Sequence, residues 1–113
     1  MDDVILVWNL VALDANRDSE TNGKGEQTGP TLASRALAIV HLAMYDAFAG
    51  IYSKPLELPP YLLMPQLTPK PGASLDTAVA SAAHRTLSSL FPSQRPIFDA
   101  EFAAVSLERV MKI

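Results

Sequence analysis

Residues 29–52 read GPTLASRALAIVHLAMYDAFAGIY and form the longest apolar stretch of the chain. Pro30 suits the first turn of a helix, and Gly50 is typical of a helix end. At about 100° per residue, one broad sector of this helix is almost wholly apolar. Its members are Ala36, Leu37, Ile39, Val40, Ala43, Met44, Ala47 and Phe48. The stretch therefore predicts a central packing helix around which the fold is organised.

The opposite sector of this helix is polar, but only in part. Ser34, His41 and Tyr45 form one stripe, and Arg35 and Asp46 lie in the next. Alanine and leucine residues are interleaved with them, so we expect protein rather than water to cover this sector. The covering helices are expected to include some that this chain does not contain.

A first helix and a polar loop are predicted ahead of this stretch. The helix begins at Val4, runs for about 14 residues and can be capped by Asp2 or Asp3. It is apolar almost all round, which predicts burial on more than one side. Residues 17–29 hold no aliphatic or aromatic residue and three of the five glycines. They predict a solvated loop, with disorder as its extreme form.

Two more helices are predicted after the central one. Residues 53–72 hold six of the nine prolines, which favours an extended crossing because each proline removes a backbone donor. Ser74 can cap a third helix that ends at Phe91, and Ser93 can cap a fourth. The predicted fold is all-α, with about four helices in an incomplete bundle. It forms a single helical region over 1–113, with the Pro-rich extended crossing between helices two and three.

Composition argues against several classes of function. The 113 residues are 49% apolar, carry a net charge of −3 and contain no basic block, so nothing points to nucleic acid or to an anionic membrane. The absence of cysteine excludes disulfides, thiol catalysis and cysteine-based zinc sites. The N-terminus lacks the basic region of a secretory signal, and the apolar run from Val4 to Leu13 is too short to span a bilayer. We expect a soluble protein, cytoplasmic by default.

The two histidines do not form a recognisable metal motif. A di-iron site in a bundle needs Glu-x-x-His, but Ala38 lies three residues before His41 and Ser81 lies three before His84. The HExxH motif and the EF-hand loop are also absent from the sequence. Histidines that are hydrogen-bonded in the core or at an interface are the favoured interpretation.

One pattern, Ser34-Arg35-x5-His41, imitates a catalytic signature. It resembles the Ser-Arg-x5-His-x3-Asp signature of the acid phosphatase and vanadium haloperoxidase superfamily, in which the arginine holds phosphate or vanadate. Here Tyr45 takes the place of the acid. Six residues of helix also separate Arg35 from His41 by about 9 Å and ~120°, a poor clamp for one small oxyanion. Arg35 and His41 are therefore only weak candidates for an oxyanion or phosphoester site, which would use His84 as a third member.

Beyond this pattern, a series of helical motifs resembles the N-terminal region of vanadium-dependent haloperoxidases and related proteins of the type 2 phosphatidic acid phosphatase superfamily. The resemblance covers nearly the whole chain. The motifs are Trp8-Asn9, Ala12-Leu13, the run from Ser34 to Ala47, Pro60-Tyr61, Ala73-Ser74 with Asp76, Ala78-Val79-Ala80, Ala82-Ala83-His84 and the run from Leu90 to Gln94.

The resemblance implies a role for this chain inside a larger enzyme. The family enzymes are mostly helical, bind vanadate and use hydrogen peroxide to oxidise halide. Their oxyanion-binding residues lie in a later helical bundle, so no catalytic residue, cofactor or metal is expected in this chain, and vanadate belongs to the full-length protein. The implied partner is the missing C-terminal bundle or a second copy of the chain. The alternative is a stand-alone interaction or dimerisation module without catalysis.

Overall fold

The computed structural model describes residues 3–56 and 75–111. Four α-helices follow one another: α1 (Val4–Ser19), α2 (Pro30–Leu56), α3 (Leu75–Leu90) and α4 (Arg95–Met111). A short 3-10 turn, Pro92–Gln94, precedes α4. The described residues contain no strand, so the predicted all-α class with four helices is confirmed. Most of the predicted Pro-rich crossing falls in residues 57–74 and lies outside the described part of the chain.

Helix α1 is capped as predicted but packs on one side. The carboxylate of Asp3 accepts hydrogen bonds from the backbone N–H groups of Ile5 and Leu6, at 2.8 and 3.4 Å. The buried residues recur every three or four positions and are Val4, Trp8, Ala12, Ala15 and Ser19. The opposite face is exposed, so the expected burial on more than one side is not provided by the described residues.

Helix α2 is longer than predicted. It continues through Gly50 to Leu56, because a glycine permits a helix to end but does not prevent its backbone hydrogen bonds from continuing. The predicted core sector is confirmed, since Ala36, Val40 and Met44 are buried against the other helices.

Helix α3 occupies the centre of the fold and contacts α1, α2 and α4. Its buried residues are Val79, Ala80, Ala83 and Leu87, and the small alanines allow the neighbouring backbones to approach. Around it lie the large buried side chains Trp8, Met44, Phe91 and Phe98. The core is thus contributed by all four helices and by the residue that follows α3.

The loop between α1 and α2 is fixed to the turn before α4. The carboxylate of Glu26 accepts hydrogen bonds from the backbone N–H of Ser93 at 3.1 Å and from its hydroxyl at 2.6 Å. Ser93 therefore does not cap α4 as predicted, since its hydroxyl is used here and it lies inside the 3-10 turn. The buried amide of Gln94 donates from Nε2 to the carbonyl oxygen of Ala15 at 2.9 Å. These contacts hold residues 20–29 as an ordered loop, which replaces the expectation of disorder.

The last residue of that loop sets the direction in which α2 begins. Gly29 has φ +89°, a left-handed conformation that a glycine adopts without steric cost. Its N–H donates to the carboxylate of Glu20 at 3.2 Å. Because the chain reverses over only ten residues, α2 returns alongside α1.

Candidate interaction surface

The candidate oxyanion residues lie on the outer side of α2. Ser34, Arg35 and His41 are all exposed, whereas Tyr45 and Asp46 of the same sector are half-buried, so the described residues cover this sector only in part. The structure does not gather them, because Arg35 and His41 are separated along one continuous helix by about 9 Å and ~120°. The two histidines also have different partners, since His41 contacts α1 whereas His84 contacts α4.

His41 forms a polar link between α2 and α1. Its Nε2 lies 2.8 Å from Oδ1 of Asn9. Because an amide oxygen only accepts, Nε2 carries the proton and donates it to Oδ1 of Asn9. Sequence reasoning missed Asn9 as its partner, since Asn9 stood out only as part of the Trp8-Asn9 motif. If α1 and α2 are assumed to be antiparallel and joined by a short loop, position 9 falls opposite position 41. This register could have predicted the contact from the sequence.

An open apolar groove lies beside this link. Its volume is about 300 Å³, and its lining residues are Ile5, His41, Met44, Tyr45 and Phe48. We call it the seam groove because α1 and α2 supply its two sides. Ile5 lies opposite Phe48 and Asn9 opposite His41, so the two helices run antiparallel along it. Met44 is buried at its floor, while His41 is exposed at its rim.

A stripe of exposed leucines runs along α1. Leu6, Leu10 and Leu13 are 63%, 62% and 44% exposed, and we call them the leucine stripe. Their spacing of four and three residues places them on one helix face. That face lies roughly 170° around the helix axis from the buried face that contains Trp8. An apolar face of this kind on a soluble helix indicates a contact surface.

A second cluster of polar residues joins α3 to α4. Nε2 of His84 lies 2.5 Å from Oδ1 of Asp99, and Nε of Arg95 lies 3.8 Å from the same oxygen. The His84 ring also packs against Phe102, with 5.4 Å between ring centroids. The helix–helix register, which sequence alone does not give, makes Asp99 the partner of His84. Every charged group in this cluster has a structural contact.

No group of three or more histidine, cysteine, aspartate or glutamate side chains capable of holding a metal occurs among the described residues. The donor set also does not fit vanadate. Arg35 lies on a different part of the α2 surface from His41, and Nε2 of His41 is already hydrogen-bonded to Asn9. Arg35 and His41 therefore do not form an oxyanion clamp in this fold.

Comparison with known families decides what this helical unit is. Residues 2–112 match the family model described as the vanadium chloroperoxidase N-terminal domain. This chain belongs to that family. The vanadium chloroperoxidase of Curvularia inaequalis is 40% identical over 101 residues, which cover 81% of this chain and 16% of the relative. No solved structure is significantly similar to the chain.

The vanadium chloroperoxidase N-terminal domain described here thus spans about one sixth of the curated relative that it matches. The predicted resemblance to the N-terminal region of vanadium haloperoxidases is confirmed by both comparisons. Vanadate is accordingly associated with the full-length relatives, and His41, one of the residues that imitate its signature, contacts Asn9 instead.

Helix α2 of this domain has the length and apolar composition of a membrane span. Residues Pro30–Gly50 are long and apolar enough to cross a bilayer by length and composition only, which is weak evidence. Only 28% of the most apolar window is buried within the described domain. The core face of α2, which includes Ala36, Val40 and Met44, is buried against the other helices.

Proposed function

We propose that this domain is a structural and docking component of a vanadium chloroperoxidase-like protein. Vanadate binding and halide oxidation are then carried out by the part of the protein that follows it. The observation that carries this proposal is the family match over residues 2–112, in a fold whose oxyanion-like residues are not assembled. The proposed partner is the C-terminal helical bundle of the same protein.

The domain's own side chains support a structural role. Its polar residues join separate parts of the fold: Asn9 with His41 and His84 with Asp99 link two helices, and Glu26 with Ser93 links the loop after α1 to the turn before α4. A catalytic oxyanion site would instead leave several cationic donors converging on one point. The alternative of an independent interaction module is less well supported, because membership of this family connects the domain to a longer enzyme.

Two assays test this division of labour. The 113-residue chain is mixed with vanadate, bromide and hydrogen peroxide, and halogenation of a phenol is measured. We expect no turnover above a blank without protein and no heat on titration with vanadate. The Curvularia inaequalis enzyme is the positive control. Turnover by the isolated chain that is lost in Arg35→Ala and His41→Ala would contradict the proposal and restore the oxyanion site.

A chimera tests the positive half of the proposal. This chain replaces the aligned segment of the Curvularia inaequalis vanadium chloroperoxidase, with which it shares 40% identity. We expect a folded protein that retains vanadate-dependent halogenation. A chimera that is inactive or fails to fold would show that the domain cannot serve in such an enzyme.

A further inference from the structure

We propose that the seam groove and the leucine stripe form one docking site, and that its occupant is an amphipathic helix from the part of the chloroperoxidase-like protein that follows this domain. This inference rests on the proposed function and assigns it a specific surface. The site is built on α1 and α2 and excludes α4.

The groove and the stripe are continuous around α1. On a helix with about 100° per residue, Ile5 and Asn9 lie between the buried face and the leucine stripe. Ile5 lines the groove, and Asn9 bonds the histidine at its rim. Moving around α1 from the core therefore leads first to the groove and then to Leu6 and Leu10, without an intervening charged residue.

The shape of the surface favours a helix as occupant. The stripe repeats at four and three residues over two turns, so a parallel or antiparallel helix can place its own side chains between these leucines. The antiparallel seam of α1 and α2 offers a groove in which such a helix rests against both. One bulky apolar side chain of the occupant would fill the groove above Met44.

The source of that helix follows from the size of the relative. The aligned segment is 16% of the Curvularia inaequalis enzyme, so in a protein of this kind most of the chain lies outside this domain and can present a surface to it. Lipid is the poorer occupant, because the Asn9–His41 pair at the rim would lose its water without gaining hydrogen-bond partners.

Cysteine labelling tests this site directly, because the chain contains no cysteine of its own. Leu10→Cys lies in the proposed site and Ile97→Cys is the matched control, since Ile97 is 51% exposed on α4. Maleimide labelling at each position is followed by peptide mass spectrometry in the isolated chain and in the chimera with the Curvularia inaequalis enzyme. We expect Leu10→Cys to react at least about tenfold more slowly in the chimera, because its reaction then requires local opening. Ile97→Cys is expected to react equally in both.

A charge substitution gives a second readout that does not depend on labelling. Leu10→Lys is expected to leave the thermal midpoint of the isolated chain unchanged and to lower that of the chimera by several degrees. Ile97→Lys is expected to change neither. A chimera that halogenates but leaves Leu10→Cys as reactive as in the isolated chain would overturn the docking site while the proposed function stands. Loss of halogenation by the chimera itself would overturn the proposed function.

Two other occupants are separated by controls on the isolated chain. Protection of Leu10→Cys that increases with protein concentration, together with a dimer in sedimentation, would assign the surface to a second copy and overturn the inference. Protection by phosphatidylcholine vesicles at constant protein concentration would assign it to a membrane, with the same consequence.

Discussion

Gln94 holds two distant parts of the fold together by one side chain. The residue is 5% exposed, and its amide donates to the carbonyl of Ala15, 79 residues earlier in the chain. The adjacent Ser93 is bound by Glu26 from the loop after α1. These two neighbouring contacts fix the position of α4 relative to the end of α1.

Replacing Gln94 by alanine therefore tests this connection. We expect Gln94→Ala to lower the free energy of unfolding of the isolated chain by about 1 kcal/mol, because one buried hydrogen bond is lost. Chemical denaturation monitored by circular dichroism measures it. Ser89→Ala on the exposed side of α3 is the control and should stay within about 0.5 kcal/mol. Equal stability of the two variants would contradict the assigned role of Gln94.

The His84–Asp99 pair has a smaller expected energy than its short distance suggests. The Asp99 side chain is 55% exposed, so water and salt screen the interaction. We expect a double-mutant cycle with His84→Ala and Asp99→Ala to give a coupling below about 1 kcal/mol, decreasing in high salt. A coupling well above 2 kcal/mol would contradict this and show that the pair contributes strongly to the packing of α3 on α4.

At the scale of elements, the apolar face of α3 and the leucine stripe of α1 differ in burial, and so in how much they stabilise the isolated chain. Leu87 on α3 is fully buried, whereas Leu10 on α1 is 62% exposed. Both are leucines inside helices, so the same substitution isolates the effect of burial.

We expect Leu87→Ala to destabilise the isolated chain by about 2–5 kcal/mol, because it removes buried surface and leaves a cavity. Leu10→Ala should change stability by less than about 0.5 kcal/mol. Urea denaturation of the two variants side by side measures the contrast. A large loss for Leu10→Ala in a chain that sediments as a monomer would mean that the leucine stripe is already packed within the domain.

Asp3 provides a test at the start of α1. We expect Asp3→Ala to cost about 1 kcal/mol, since the carboxylate accepts from two N–H groups of the first turn that have no intrahelical partner. Asp14→Ala is the control because its contact with Arg17 is exposed on both sides. Thermal unfolding measures the stability of both variants. Equal losses of stability in the two would argue against capping by Asp3.

At the scale of the whole molecule, the domain has a complete core and an incomplete outer face. The core joins Trp8, Met44, Leu87 and Phe98 from four helices, which supports folding of the isolated chain. Among the residues whose burial the structure describes, the large exposed apolar side chains lie mainly on α1, with further single residues on α2 and α4.

Exposed apolar surface predicts dye binding by the isolated chain. We expect 8-anilinonaphthalene-1-sulfonate fluorescence to rise on addition of the folded chain and to fall in the Leu6→Lys/Leu10→Lys variant, because the leucine stripe is then charged. The Ile97→Lys variant is the control and should bind dye nearly as well as the parent. Near-ultraviolet circular dichroism confirms that all three proteins have native packing. Unchanged dye binding after loss of the stripe would place the exposed apolar surface elsewhere.

The sequence by itself determined the all-α class, the core sector of α2, the end of α3 before Pro92 and the family resemblance, because periodicity, prolines and motifs are local properties of the chain. It did not determine that α2 passes Gly50 or that Ser93 binds Glu26. It also could not pair His41 with Asn9 or His84 with Asp99, since those contacts depend on how helices align in space. Residues 29–52 illustrate the difference. Their apolar sector predicted a packing helix correctly. Helix geometry already separated Arg35 from His41, and only the tertiary structure showed that His41 joins α1 at the edge of a groove.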